Sequence, residues 1–311
     1  MSANDHPWSE QLQTYTHISS AEGLSSITTL IVGGAAAAII DPPFLIPDAE
    51  SVVRWVLQTT NIPVRAVFVT HHHPDHYFSG GTILSAFPEA KYYAAPYVRA
   101  ALDREYDDKT TYWSNKLGTH LVPEKPPRPE SYPWSFFVLG GNLESPIVLL
   151  GPLQGDSIDH TLFWLPRERT IICGDAVYAR STHVWVGDAS TPQIVQAWKS
   201  TLDVIESLKP QKVITGHLEN GWSFNAAADL AHTRKYLQTF DQTISSVSTK
   251  PSVEKIVTTF RDAFPKAEKN LGFFLNQMAN QFASDGHRWE ENEHQNEKGR
   301  TKDQLEGFIV G

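Results

Sequence analysis

A single cysteine, Cys173, is the entire thiol content of this 311-residue chain. That excludes an internal disulfide, a thiolate zinc knuckle and a cysteine-held iron–sulfur cluster. It also fits a reducing, cytoplasmic compartment. Basic residues are in deficit: 26 Lys and Arg stand against 35 Asp and Glu, a net charge of −9. No basic stripe is offered to a phosphate backbone, so nucleic acid is not an expected partner. Long hydrophobic runs are missing as well. The longest, TTLIVGGAAAAII at 28–40, is broken by Gly33-Gly34 and is too short to span a bilayer. The opening MSANDHPWSEQ lacks the basic and apolar blocks of a secretory signal. No membrane partner is expected, and no pattern calls for a homo-oligomer, although none forbids one.

What is present is an ordinary globular composition, 41% hydrophobic and 20% charged. We expect a single domain over residues 1–285 and a polar tail over 286–311. TTLIVG and AAAAIID read as two strands joined by the Gly33-Gly34 turn. DAESVVRWVLQTT reads as a helix, with Asp48 as its N-cap and Val52, Val53, Val56 and Leu57 on one face. VRAVFVT has the β-branched, apolar pattern of a strand covered on both sides. GGTILSAF begins a helix, and AKYYAAP is a strand. Residues 106–146 combine prolines such as Pro123, Pro126, Pro127, Pro129 and Pro133 with aromatics such as Trp113 and Trp134. They read either as a functional loop or as a surface crossover with docked rings.

In the second half PIVLLG, HTLFWLP, RTIICGD and KVITGH are strand-like. Between the last two, Thr191 caps a helix, Pro192 occupies its first position, and Ile194, Trp198, Leu202, Ile205 and Leu208 form one stripe. Helices are expected from about residue 225, with breaks near Lys250-Pro251 and Phe264-Pro265. The last segment, LEGFIVG, has the pattern of an edge strand able to dock back. Strands and helices recurring in two halves indicate helices on both faces of a double β-layer.

One stretch resists a packing explanation. THHHPDHYFSGG, at 70–81, places four histidines and one aspartate within residues 71–76. Such groups are costly to bury unless something pairs with them. A metal site, a pH-sensing cluster and a His-rich solvated loop are the candidates. In an extended segment residues two apart point the same way, so His71 and His73 address one point beyond the strand end. His72 faces the other side, as a supporting or exposed residue. If the chain turns at Pro74, Asp75 and His76 address a second point. Further candidate ligands lie where other apolar strands meet loops: His160 opens HTLFWLP, Asp175 ends RTIICGD and His217 ends KVITGH. An all-imidazole and carboxylate set suits zinc, with iron or manganese as alternatives. Cys173 reads as a small core residue. His6, His17, His120, His183, His232, His287 and His294 read as surface or loop residues.

THHHPDH, a lone His160, GD at Asp175 and GH at His217, in this order, resemble the metallo-β-lactamase superfamily over roughly residues 25–220. The resemblance implies an αββα sandwich, a four-layer α/β fold, with a C-terminal helical extension here. It implies two zinc ions: His71, His73 and His160 on the first, Asp75, His76 and His217 on the second, and Asp175 between them. Asp41, in IIDPP, matches the family's early aspartate, a supporting residue. The chain departs from the family in having GDSIDH, with Asp156 and Asp159, where many members have GHTPGH. The Gly pair after the first motif is displaced to Gly80-Gly81.

The activity implied is hydrolysis by a hydroxide held between two metals, with Asp75 helping to orient it. In the family's quorum-signal lactonases a tyrosine placed like Tyr178 faces the substrate carbonyl, which makes Tyr178 a candidate catalytic donor. Trp185 and Trp222 are candidate pocket walls. The expected substrate is a small, fairly apolar lactam or lactone, and the plan is similar to that of fungal lactam hydrolases acting on benzoxazolinone-like compounds. A glyoxalase II-type thioesterase and an iron-dependent oxidoreductase are the alternatives within the superfamily. A phosphodiesterase fits the acidic charge poorly, and a non-catalytic module fits poorly with every ligand position filled.

Overall fold

The structure is a computed structural model that describes residues 11–189, 191–267 and 272–287. The expected tail lies outside the described residues from 288 onward, as do LEGFIVG, His6 and His294. The first sheet contains β1 (Gln13–Ile18), β2 (Ile27–Val32), β3 (Ala37–Ile40), β4 (Val64–Val69), β5 (Lys91–Ala94) and β6 (Glu130–Ser131), in that spatial order. Its first three strands are antiparallel, and β3 through β6 are parallel. The parallel pairs require crossovers, supplied by α1 (Ile46–Thr59), α2 (Gly80–Ala86) and α3 (Pro96–Leu117). The second sheet contains β7 (Phe136–Phe137), β8 (Ile147–Leu153), β9 (His160–Leu165), β10 (Thr170–Ile172) and β11 (Lys212–Ile214), in reverse spatial order. Helices α4 (Pro192–Ser207), α5 (Ala226–Phe240), α6 (Val253–Ala263) and α7 (Gly272–Phe282) complete it. This is the expected αββα architecture.

The layers follow from the two-residue period of the strands. In β3, Ala37 and Ile39 face the helices of the first half, while Ala38 and Ile40 face the second sheet. In β4, Val67 and Val69 face the helices and Phe68 faces inward. Across the sandwich, Phe163, Leu165, Ile172 and Ile214 meet them, and Leu162, Ile171 and Val213 turn outward onto α4–α7. The C-terminal helices therefore share one core with the second sheet. Trp198, Leu202 and Ile205 of α4 pack beside Phe240, Phe260 and Met278. Thr191 caps α4, its side chain accepting from the Ile194 amide at 3.3 Å.

Several local expectations are corrected. Asp48 does not cap α1, whose N-cap is Leu45. Its carboxylate instead accepts from the backbone and hydroxyl of Ser20, both at 2.9 Å, tying the helix to the β1–β2 loop. Leu57 is exposed; the buried face of α1 runs through Ala49, Val52 and Val56. Residues 106–117 are not loop but the second half of α3. The proline-rich remainder is a crossover strapped onto that helix. The Tyr106 hydroxyl donates to the Pro126 carbonyl at 2.6 Å, and Arg128 lies 3.8 Å over the Tyr106 ring. A cavity of about 420 Å³, lined by Arg65, Phe68, Tyr93, Tyr132 and Phe137 among others, opens beside the start of β4.

His183 and His232 are not surface residues. His183 is 1% exposed, with Nδ1 3.2 Å from the Tyr236 hydroxyl. His232 is half-buried and donates through Nε2 to the Thr182 carbonyl at 2.9 Å. Burial lowers both imidazoles to about 4 from an ordinary 6.5. Between these values the unfolded chain binds more protons than the folded one. The stability contributed by the neutral pair is therefore complete above about pH 6.5 and is lost as pH falls toward 4. Thermal unfolding checks this: from pH 6.5 to 4, His183→Gln should lose less in Tm than the wild type, and parallel curves would contradict it.

Candidate metal centre

The topology gathers the candidate residues at one edge of the sandwich. β3 and β4 are parallel, as are β10 and β11, so Asp41, His71, Asp175 and His217 all follow strand C-termini. β9 runs antiparallel to β10 and brings its first residue, His160, to the same edge. Backbone bonds stitch the two sheets there. The Thr161 amide donates to the Thr70 carbonyl at 2.8 Å, and the Ile27 amide to the Gly216 carbonyl at 2.8 Å. Pro74 opens a short 3-10 turn over Pro74–His76, which swings Asp75 and His76 out of line with His71 and His73.

Two glycines make the approach possible. Gly174 adopts φ +48°, and a Cβ there would meet Thr70 Oγ1 at 2.5 Å. A Cβ on Gly216 would lie 1.7 Å from Asp175 Oδ1. The GD and GH motifs thus pair a ligand-type side chain with the one residue small enough to let the strands converge on it.

The convergence is close. One group, His71, His73, Asp156 and Asp175, and a second, Asp75, His76 and His217, each hold donor atoms within 4.8 Å of one another. His160 stands against the first group: its ring stacks on His71 at 4.2 Å, and its Nε2 is 3.4 Å from Asp156 Oδ1. In the second, Asp75 Oδ2 is 3.5 Å from His76 Nε2 and 3.4 Å from His217 Nε2. Asp175 faces both of those rings, Oδ1 at 3.2 Å from His76 Nε2 and Oδ2 at 3.0 Å from His217 Nε2. Nearly all of these groups are fully buried; His73 is 13% exposed at its side chain and Asp75 11%.

Each imidazole is fixed at one nitrogen and offers the other. His71 Nδ1 meets Thr70 Oγ1 at 3.0 Å, His76 Nδ1 meets Asp41 Oδ2 at 3.0 Å, and His217 Nδ1 meets the Leu24 carbonyl at 2.8 Å. His160 Nδ1 meets the Ser157 carbonyl at 3.1 Å, and His73 Nε2 meets Asp188 Oδ2 at 2.9 Å. The inward atoms His71 Nε2, His76 Nε2, His160 Nε2, Asp156 Oδ1 and Asp175 Oδ1 are buried with no hydrogen-bond partner among the described residues. Orphaned polar atoms aimed at a common volume, each backed by a second partner, are what metal ligands require. Four donors about 2.0–2.1 Å from a tetrahedral zinc stand about 3.3–3.4 Å apart, and the separations here fall around that value. The residues present fit a pair of divalent cations.

Asp41 is 3% exposed at φ +61°. Its Oδ1 accepts from the Thr70 amide at 2.7 Å, and its Oδ2 from the Thr70 hydroxyl at 2.8 Å while facing His76. It therefore stands behind the cluster without entering it. His72 is buried, not exposed, and points away: Nε2 lies 3.2 Å from Glu105 and Nδ1 3.2 Å from Asp159. The Tyr178 hydroxyl donates toward Asp175 Oδ2 at 2.5 Å and Asp156 Oδ2 at 3.1 Å. Trp185 sits one ring behind the cluster, 5.7 Å from Phe274. Trp222 lies 5.2 Å under Arg180 and makes no ring contact with the cluster among the described residues. Sequence reasoning missed Asp188 and Phe274. Phe274, from α7, stands edge-on to His217 at 5.4 Å. Its only signal was an apolar position in a helix far along the chain.

The electrostatics of the cluster follow from burial and from its adjacent carboxylates. Burial holds His71 well below its usual value and His160 at about 3. Burial also opposes charge on His73, His76 and His217, but adjacent carboxylates outweigh it. Asp156 and Asp188 lift His73 to about 10; Asp175 and Asp75 raise the other two. Burial lifts Asp156 to about 7. For Asp175 burial is overcome by His217 and His76, which hold it well below the carboxylate range.

The profile of the metallo-beta-lactamase superfamily matches residues 22–217, and the chain belongs to that superfamily. It is 22% identical over 218 residues to the metallo-beta-lactamase type 2 of Bacteroides fragilis, covering 68% of this chain and 78% of that protein. Among solved structures, the DIM-1 metallo-beta-lactamase is 21% identical, with a TM-score of 0.53 over 74% of this chain and 98% of the other. A metallo-beta-lactamase from Pontibacter korlensis also gives 0.53, at 16% identity, over 74% of this chain and 96% of the other. These likenesses carry the fold. With the His and Asp groups, superfamily membership points to a metal-dependent hydrolase. Among the described residues no helix is long and apolar enough to cross a membrane.

Two outcomes are expected. Because ligating imidazoles must be unprotonated, metal uptake at pH 7 should release more than one proton, and affinity should weaken as pH falls. Calorimetry in buffers of different ionisation enthalpy measures this, and uptake without proton release would contradict it. Asp41→Asn, which can no longer accept from Thr70 and His76 together, should weaken metal binding about 10- to 100-fold in competition with a chromophoric chelator. Unchanged affinity would remove Asp41 from its supporting role.

Proposed function

We propose that this protein is a binuclear metal-dependent hydrolase that opens the cyclic amide or ester of a small organic molecule, a lactam or lactone. The observation that carries the reading is the set of five imidazoles, each anchored at one nitrogen and presenting the other to a pocket shared with buried carboxylates. His71, His73 and His160 would hold one divalent cation, Asp75, His76 and His217 the other, with Asp175 between them. The nitrogen and oxygen donor set and its spacing favour zinc, ahead of iron or manganese. When bound, such a pair would lower the pKa of a bound water and polarise the substrate carbonyl.

The chain's own residues do the rest. Asp75, whose side chain keeps some exposure, takes a proton from the attacking water and returns it to the leaving nitrogen or oxygen. The water oxygen bonds to the carbonyl carbon, the ring C–N or C–O bond breaks, and an acid with a free amine or hydroxyl results. Burial and the two neighbouring carboxylates hold the Tyr178 phenol well above its ordinary range, so it stays protonated and can donate. Turned from Asp175 to the incoming carbonyl, it stabilises the oxyanion. The slight exposure of His73, Asp75 and Asp188, with side chains 11–16% exposed, suits a small substrate. Phe274 with Trp185 behind it lends an aromatic wall. The name of the Bacteroides relative supports a lactam. A benzoxazolinone-like plant lactam, detoxified in the cytoplasm with no macromolecular partner, is the substrate we favour.

Assay of the zinc-loaded protein against lactams, lactones, thioesters and phosphodiesters tests this. Turnover of lactams or lactones is expected; turnover of thioesters alone would place the protein with glyoxalase II-type enzymes instead. His73→Ala should fall to background on every true substrate. Tyr178→Phe should lower kcat about 100-fold with its metal retained. Retained turnover in the first variant, or an unchanged rate in the second, would contradict the assigned roles.

A further inference from the structure

The family pattern leaves the first metal with three histidines, yet here a fourth donor stands among them. Asp156 is fully buried, and its Oδ1 has no hydrogen-bond partner among the described residues. That atom lies 3.4 Å from His160 Nε2 and 3.7 Å from His71 Nε2; Oδ2 lies 3.0 Å from His73 Nδ1. His71 Nε2 and His160 Nε2 lack partners as well. Asp156 thus offers one oxygen to His71 and His160 and the other to His73, at 3.0–3.7 Å, separations that bracket the roughly 3.3–3.4 Å between donors around a tetrahedral zinc.

We propose that Asp156 is a ligand of the first metal and closes its coordination as His71, His73, His160 and Asp156. This rests on the binuclear reading above and extends it. Sites with four protein ligands are structural in character, whereas catalytic sites keep a position open. The open position of this centre therefore belongs to the second metal, held by Asp75, His76 and His217. Charge agrees. Asp75, Asp156 and Asp175 set three negative charges against the four of two divalent cations, where the family's pattern supplies two. No Lys or Arg forms an ion pair with any of the three among the described residues. The first cation should accordingly be the more firmly held. Within GDSIDH the neighbouring acid, Asp159, turns to His72 instead, so the two departures from the family pattern do different work.

The test is metal binding, not turnover. Wild type and Asp156→Asn are titrated with zinc and with cobalt(II) against a competing chelator, with Asp159→Asn as a matched loss of buried charge from the same turn. Wild type and Asp159→Asn should take up two equivalents. Asp156→Asn should lose the tighter equivalent, or bind it at least 10-fold more weakly, with a changed cobalt(II) absorption spectrum. Equal affinities and spectra in Asp156→Asn and wild type would overturn the proposal while leaving the binuclear reading standing; a wild type that binds no metal would overturn both. A second measurement needs no variant. Wild type carrying one equivalent of cobalt(II) should show no spectral change on adding azide, because the first site has no vacant position; a clear shift would overturn the proposal.

Discussion

Burial of like charge is the constraint on which this structure turns. Asp75, Asp156 and Asp175 are all desolvated at one edge of the sandwich, and no Lys or Arg answers them among the described residues. Five imidazoles surround them, and the carboxylates raise His73, His76 and His217 above the ordinary imidazole range. Such a cluster is costly unless a cation of higher charge completes it. The rest of the fold can be understood as the apparatus that holds these groups together against repulsion. Two sheets are pinned by backbone bonds at Thr70–Thr161 and Ile27–Gly216. Glycines at 174 and 216 allow contact distances that no side chain would permit.

Precision comes from behind the cluster. Thr70, Asp41, Ser157, Asp188 and the Leu24 carbonyl each hold a ring by its outer nitrogen. They come from the strand end itself, a neighbouring strand, the turn before β9, the loop before α4 and the β1–β2 loop. Moving any one of these elements would rotate an imidazole. The C-terminal helices take part too, because Phe274 packs on His217 and Tyr178, and Gln281 donates to the Gly187 carbonyl at 2.8 Å beside Asp188. A segment far from the motifs thereby closes the back of the site.

Much of this was legible in the chain. Strands with a clear alternation or a solid apolar run, such as VRAVFVT and HTLFWLP, announced themselves, and Thr191-Pro192 marked a helix start. The crowding of THHHPDH had no packing explanation, so it pointed to chemistry. Elements that hide their pattern were missed. β1 is an edge strand with only partial burial, and the back half of α3 buries Glu105, Tyr106 and Thr110 rather than an apolar stripe. Asp48 looked like a cap because caps are local, while its true partner, Ser20, is a tertiary contact. Asp188 and Phe274 reach the site only through contacts between residues remote in sequence. Asp156 was visible as a departure from a family pattern, but its meaning lay in three distances that no spacing encodes.

The central claim is most directly tested by anomalous diffraction at the zinc edge from a crystal grown with zinc in excess. The account predicts two anomalous peaks inside the cluster, one enclosed by His71, His73, His160 and Asp156, the other by Asp75, His76 and His217, with Asp175 reaching toward both. A cluster without anomalous density, or with Asp175 and His217 turned away from it, would contradict the account.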